Sequence, residues 1–397
     1  MITDLTRRQW LQRSTQAAAA LTLSAPGARL ALAATSAPTR ASSDPQRLIV
    51  VMLRGALDGL AAVPVPGDPA WEALRPQAAT DAERFGAPLP LSGPYALHPA
   101  LRTLHRWYGE GSVAVAHAVA SPYRERSHFD AQQMLESGSN RPFEFDTGWL
   151  GRALLASDRR GLALSPALPL ALRGAPSSTS WAPSHEQVQP DDLLARVSQL
   201  YAADAQLAPV YAQARELHQS AAMAEAGRGG RGLADLARQA GRFLAPDDGP
   251  NLAWLEASGW DTHTQQAARL ARGLDGLDQA LAALREGLGE ARWAHSTVLV
   301  MTEFGRSAAM NGSEGTDHGT GGAAFIAGGR VAGGRVIADW PGLARSQLHE
   351  ARDLRPTLDV RALMKPVLQR HLGLSTAAIE RDVLPGAPRG LADLWHS

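Results

Sequence analysis

Glu303, Asp317 and His318 fall inside the glycine-rich stretch TEFGRSAAMNGSEGTDHGTGG, residues 302–322, directly after the apolar run STVLVM. Carboxylates and imidazoles gathered by one loop are ligands for a divalent cation. Similar groups stand elsewhere after apolar runs: Asp58 in LRGALDGL, Ser127 and His128 in YRERSHFDAQQ, Asp261 and His263 in SGWDTHTQQ. Asp261 and His263 are two positions apart, which puts them on one side of an extended chain. Asp58, Asp261, His263, Glu303, Asp317 and His318 form an oxygen-and-imidazole set suited to Zn²⁺, Mn²⁺, Mg²⁺ or Ca²⁺. The set is large enough for one ion or two, and a two-metal clamp suits phosphoryl or sulfuryl transfer. Cysteine is absent, so thiolate ligands, disulfides and a cysteine nucleophile are excluded.

Each residue also has a plainer role. Ser127 with Asp130 fits the S-x-x-D pattern that caps a helix start. Asp58 before Gly59 suits a turn. Asp261 or Thr262 can cap a following helix, and Glu303 can be a solvated strand end. His98, His105 and His117 read as surface or packed residues.

The elements that position these groups are legible as apolar patterns. RLIVVML, GSVAVAHAVA and STVLVM are continuous rather than alternating, which predicts buried strands; NLAWLEASG is a weaker fourth. Leu270, Leu274, Leu277, Leu281, Leu284 and Leu288 step by four and three, the stripe of an amphipathic helix lying on a sheet. Strand, helix, strand in that order predicts an α/β fold with a mainly parallel sheet. In such sheets, sites gather at the carboxyl ends of strands, where the candidate residues stand. Residues 190–245 are Ala-, Gln- and Leu-rich with helical spacing and break at GRGGRG; they predict a helical insertion placed as a cap over the site. No repeat marks a solenoid.

With 397 residues, 45% hydrophobic and 20% charged, and a formal net charge of zero, the chain has material for a large core and no basic surface for nucleic acid. Arg7 and Arg8 precede Trp10 and Leu11, and an uncharged run, TQAAAALTLSAPGA, leads to Ala31-Leu32-Ala33. This is the layout of a signal peptide over residues 1–33, and the arginine pair resembles the twin-arginine (Tat) export signal. A Pro- and Ser-rich linker at 34–46 follows. The expected partner is therefore the Tat machinery and the expected location periplasmic or secreted. No later segment approaches the roughly 18 apolar residues of a stable membrane span.

VVMLRGALDGL, RSHFDAQ, GWLGR, GWDTH, TEFGR and GTDHG occur in that order. Together with the twin arginines they resemble the bacterial family named domain of unknown function 1501, across residues 47–390. That family is similar to the alkaline phosphatase and sulfatase superfamily. The resemblance implies an alkaline phosphatase-like three-layer sandwich with metals at the carboxyl ends of a mainly parallel sheet. It also implies a role for each residue: Asp58 as the first-strand metal carboxylate, Asp261 and His263 at one metal, and Glu303, Asp317 and His318 completing the ligands. Ser127 takes the nucleophile's place at a helix start. Arg306 and His128 fall to an anionic ester substrate. The family pattern has two glycines before the first aspartate, and Ala56 stands at the second. The expected function is a metal-dependent hydrolase of phosphate or sulfate esters. In that reaction the Ser127 alkoxide attacks in line, and a second metal steadies the leaving oxygen. The alternative is a non-catalytic exported accessory protein for assembly of cell-surface or extracellular polymers.

Overall fold

The computed structural model describes residues 46–183 and 232–396, with Tyr201, Asp204 and Ala208 alone between them. The signal segment, residues 34–45 of the linker and most of the expected 190–245 insertion lie outside the described residues.

Among the described residues, nine strands form the main sheet. In chain order they are β1 (Arg47–Arg54), β2 (Val113–Ala120), β3 (Gly161–Ala163), β4 (Ser178–Ser180), β5 (Leu252–Ser258), β6 (Ser296–Thr302), β7 (Gly322–Ala327), β8 (Arg335–Ile337) and β9 (Leu358–Asp359). Their spatial order is β8-β2-β7-β6-β1-β5-β3-β4, with β9 also on β2. β5 and β6 flank β1, both parallel to it, with Val50 opposite Trp254 on one side and Leu299 on the other. Among the described strands of this sheet, β7 alone runs against its neighbours, β2 and β6. The four strands expected from the apolar runs all form, and the fold is α/β with a mixed, mostly parallel sheet.

Helices cover both faces, as the unbroken hydrophobicity of β1 requires. Ile49, Val51 and Leu53 of β1 share one core cluster with Leu270, Leu274, Leu277, Leu281, Leu284 and Leu288 of the long helix Gln266–Trp293. Each of those leucines is nearly fully buried and contributes about 1.5–3 kcal/mol of transfer energy. Leu48, Val50 and Met52 face the opposite way, into helices Trp149–Ser157 and Arg361–Leu372.

At the end of the expected insertion, Leu233–Leu244 is a helix of the core layer rather than an excursion from it. Ala237, Ala240, Phe243 and Leu244 are buried in the same cluster as the leucine stripe. Gly241 lets the two helices touch: a Cβ there would lie 2.6 Å from the Leu284 carbonyl oxygen. No helix of the described residues is long and apolar enough to cross a membrane.

Candidate metal centre

β1, β2, β5 and β6 run in one sense, so the residues after them emerge at one edge of the sheet. β7 runs the other way, which returns the 303–321 loop to that same edge. The loop then closes by tight backbone contact. A Cβ on Gly319 would lie 2.3 Å from the Arg306 carbonyl, so only glycine lets the GTDHG segment lie on TEFGR. At Gly55 the backbone is left-handed (φ 115°), and a Cβ would meet the Asp261 amide nitrogen at 2.6 Å.

The result is a cluster of His128, Asp261 and His318, whose ligand atoms all lie within 4.8 Å of one another. His128 Nε2 is 3.1 Å from His318 Nε2. Asp261 Oδ2 is 3.6 Å from the first and Asp261 Oδ1 is 3.3 Å from the second. The partners of the other ring nitrogens assign the tautomers. His318 Nδ1 donates to the Arg126 carbonyl at 2.9 Å, and His128 Nδ1 donates to Glu303 Oε1 at 2.8 Å. A neutral ring protonated at Nδ1 carries a lone pair on Nε2. Two lone pairs thus face each other beside a carboxylate, an arrangement suited to a cation between them. Neighbouring ligands on a tetrahedral ion with bonds of about 2.0–2.1 Å are about 3.3 Å apart, close to the separation of the two imidazole nitrogens. The donor set fits a divalent metal. The Glu303 hydrogen bond holds His128 above the ordinary imidazole value, whereas burial lowers His318.

Glu303 stands behind the cluster, fully buried. Burial alone would raise its pKa, but hydrogen bonds outweigh this and hold it below the usual carboxylate range. They come from His128, from Gln132 Nε2 at 2.9 Å and from the Gly55 amide at 2.8 Å. Gln132 is oriented in turn by Arg54, whose Nη1 donates to its Oε1 at 2.8 Å. A histidine ligand held by a carboxylate is the usual arrangement around metals. Phe304 stacks on His128 with ring centroids 4.9 Å apart, drying one side of the cluster.

The remaining expectations change place. Asp58 stands outside the three-residue cluster. It is buried, its Oδ1 accepts from the Leu60 and Ala61 amides, and Arg75 Nη1 and Gln266 Nε2 donate to its Oδ2 at 2.8 and 2.6 Å. Asp317 is exposed and accepts from Asn311 Nδ2 at 3.0 Å, outside the three-residue cluster. His263 Nδ1 is 2.9 Å from Asp261 Oδ1, so this ring stands beside the cluster as a partner of Asp261.

Arg306 was expected on substrate, but its side chain is fully buried. It donates to Asp261 Oδ1 at 2.5 Å, to Thr316 Oγ1 at 3.1 Å and to the Thr316 carbonyl, and so it orients Asp261 instead. Burial would raise the Asp261 pKa, but the Arg306 hydrogen bond and charge lower it. His128, also expected on substrate, stands among the ligands. Ser127 occupies the N-cap position of helix His128–Ser137, yet its side chain makes no capping bond; its carbonyl accepts from the Ala131 amide at 3.0 Å.

Gln132, Arg126 and Arg75 were not foreseen. Gln132 lies four residues after His128 on the same helix face, a spacing the sequence does show. Arg75 and Arg126 carry no such signal.

A comparison with curated proteins finds no match. Solved structures give faint likenesses. Ps i-CgsB in complex with k-i-k-neocarrahexaose is 10% identical, covering 85% of this chain and 75% of that one, with a TM-score of 0.41. The lipoteichoic acid synthase LtaP from Listeria monocytogenes is 10% identical over 89% of this chain and 77% of its own, at 0.41. The alkaline phosphatase from the Antarctic bacterium TAB5 is 11% identical over 73% and 94%, at 0.36. At that level they say nothing of what this chain binds or does. Residues 111–384 match the family described as "Protein of unknown function (DUF1501)", and the chain belongs to that family.

Proposed function

We propose that this chain is an exported metal-dependent hydrolase of phosphate or sulfate esters, with one divalent ion held by His128, Asp261 and His318. The observation that carries the reading is the convergence of two imidazole lone pairs and a carboxylate on one point. Two nitrogens and an oxygen favour zinc or manganese over calcium or magnesium, which want more oxygen ligands. A metal held there would supply Lewis acidity to an ester oxygen.

The chain's own residues do the rest. Glu303 and the Arg126 carbonyl hold the two imidazoles in one tautomer, and Arg306 fixes Asp261. Ser127 adjoins His128, and its hydroxyl makes no capping bond but pairs with the Tyr123 hydroxyl; in this reading it is the nucleophile. The first-turn amides of helix His128–Ser137 favour an anionic group beside it. Ser127 Oγ attacks the phosphorus or sulfur in line, and its proton passes to the ester oxygen as that P–O or S–O bond breaks and the alcohol leaves. Water then cleaves the seryl ester to release phosphate or sulfate. The twin-arginine segment supports export by the Tat machinery to the periplasm or medium.

The second reading, an exported accessory protein without turnover, is favoured by one observation. Asp58 and Arg306 are both committed to internal partners, so a two-metal clamp and an anion-binding arginine are not built from them.

Ser127→Ala and Ser127→Asp separate the two. Metal-replete protein is assayed against phosphate monoesters, phosphate diesters and sulfate esters. The hydrolase reading expects both variants to lose roughly 10³-fold or more in rate with metal content unchanged. Stability should change by less than about 1 kcal/mol, because no capping bond is lost. Full activity in Ser127→Asp ends the nucleophile assignment. No turnover by the metal-replete wild type favours the accessory reading.

A further inference from the structure

His128 is held by a buried carboxylate, whereas His318 depends on a main-chain carbonyl, that of Arg126. Arg126 has left-handed backbone (φ 61°), which an L-residue adopts only when its surroundings hold it there. The holding contacts come from a loop that none of the motifs includes. Arg126 Nε donates to Asp353 Oδ2 at 2.8 Å, and Arg126 Nη2 donates to Glu350 Oε2 at 2.5 Å. The second Asp353 oxygen accepts from Arg352 Nη1 at 2.9 Å, and that same nitrogen donates to the His318 carbonyl at 2.9 Å.

Asp353 therefore grips His318 twice, its ring through Arg126 and its main chain through Arg352. The Asp353 side chain is fully buried, whereas Glu350 is 60% exposed, so the water-screened member of the pair contributes less. Asp353 is itself pinned by backbone exchange with His349, at 2.8 and 3.0 Å, and bridges to Ser307 beside Arg306. Glu350 and Ala351 between them are also left-handed, each at φ 53°. A strained loop fastened at both ends around one buried carboxylate is costly for a surface turn, and it gives His318 a fixed ring orientation.

We propose that Asp353 is a positioning residue for the metal centre: through Arg126 and Arg352 it keeps His318 protonated at Nδ1, with Nε2 turned toward His128 and Asp261. The metal-binding part rests on the function proposed above; the orientation of His318 does not.

Two readouts test this on the full chain. The first is long-range proton–nitrogen correlation of isotope-labelled histidine in the metal-free protein, above the imidazole titration range, with His318 assigned through His318→Gln. The second is zinc affinity by chelator competition. Wild type should show His318 in the single Nδ1–H tautomer, and Asp353→Ala should show a mixture. Zinc should bind that variant about 10- to 100-fold more weakly.

Asp278→Ala is the control for general destabilisation. Asp278 is also buried but far from the cluster, accepting from the Thr103 and Leu104 amides at 2.9 Å each. It should leave both readouts unchanged. Should Asp353→Ala not fold, Arg126→Lys, which keeps the carbonyl but loses the Nε contact, should shift both in the same direction. An unchanged His318 tautomer in the folded variant overturns the proposal, as do equal shifts in Asp278→Ala. Absence of zinc binding by wild type overturns the metal-centre reading, while the tautomer comparison still decides the role of Asp353.

Discussion

Asp58 and Asp261 follow neighbouring strands, β1 and β5, yet they do opposite jobs. Asp261 is partly open to solvent and faces two imidazoles. Asp58 is sealed against Arg75, with both members nearly inaccessible. Burial would raise the Asp58 pKa, but the Arg75 charge and hydrogen bonds, with help from Gln266, pull it below the ordinary carboxylate value. A carboxyl depressed in the folded state contributes stability that is present above the unfolded value of about 3.9 and lost as pH falls through the folded one. Asp58→Asn leaves the Arg75 guanidinium buried without its partner charge. Urea denaturation at neutral pH should show a loss of about 3–5 kcal/mol. The gap from wild type should narrow as pH falls below about 3.9, since wild type then loses the same interaction. Metal content should not change. A variant that kept its stability but lost its metal would return Asp58 to the ligands.

At the scale of elements, the strands were legible because a sheet covered on both faces shows unbroken apolar runs, and β1, β2 and β6 do so. The leucine stripe was legible because one helix face packs on that sheet. The candidate residues were found at strand ends for the same reason: Asp261, Glu303 and His318 all stand at the edge where parallel strands finish. Pairing was not legible. GAAFIA looks the same in either direction, and the antiparallel run of β7 follows from the loop that returns after Arg306. Nor does the sequence show which charged groups are spent on each other. The pairings Asp58 with Arg75 and Arg126 with Asp353 link residues distant along the chain with no local pattern. Leu233–Leu244 read as part of an excursion because its neighbours are Ala- and Gln-rich; its own buried stripe of Ala237, Ala240, Phe243 and Leu244 assigns it to the core.

For the molecule as a whole, the proposed account joins an export signal to a metal centre at one edge of a covered sheet. On the proposed reading, folding before export lets the ion be acquired inside the cell, with the arginine pair as the signal that the export machinery reads. Changing Arg7 and Arg8 together to Lys should therefore leave the protein in the cytoplasm; normal recovery outside it would show that the address lies elsewhere. The central claim is the metal at His128, Asp261 and His318, and elemental analysis of the purified, tag-free protein tests it most directly. The account predicts about one zinc or manganese ion per chain in wild type, in Asp58→Asn and in His105→Ala, and a loss of most of it in His128→Ala, Asp261→Ala and His318→Ala. The same metal content in all six proteins, or none in wild type, would contradict it.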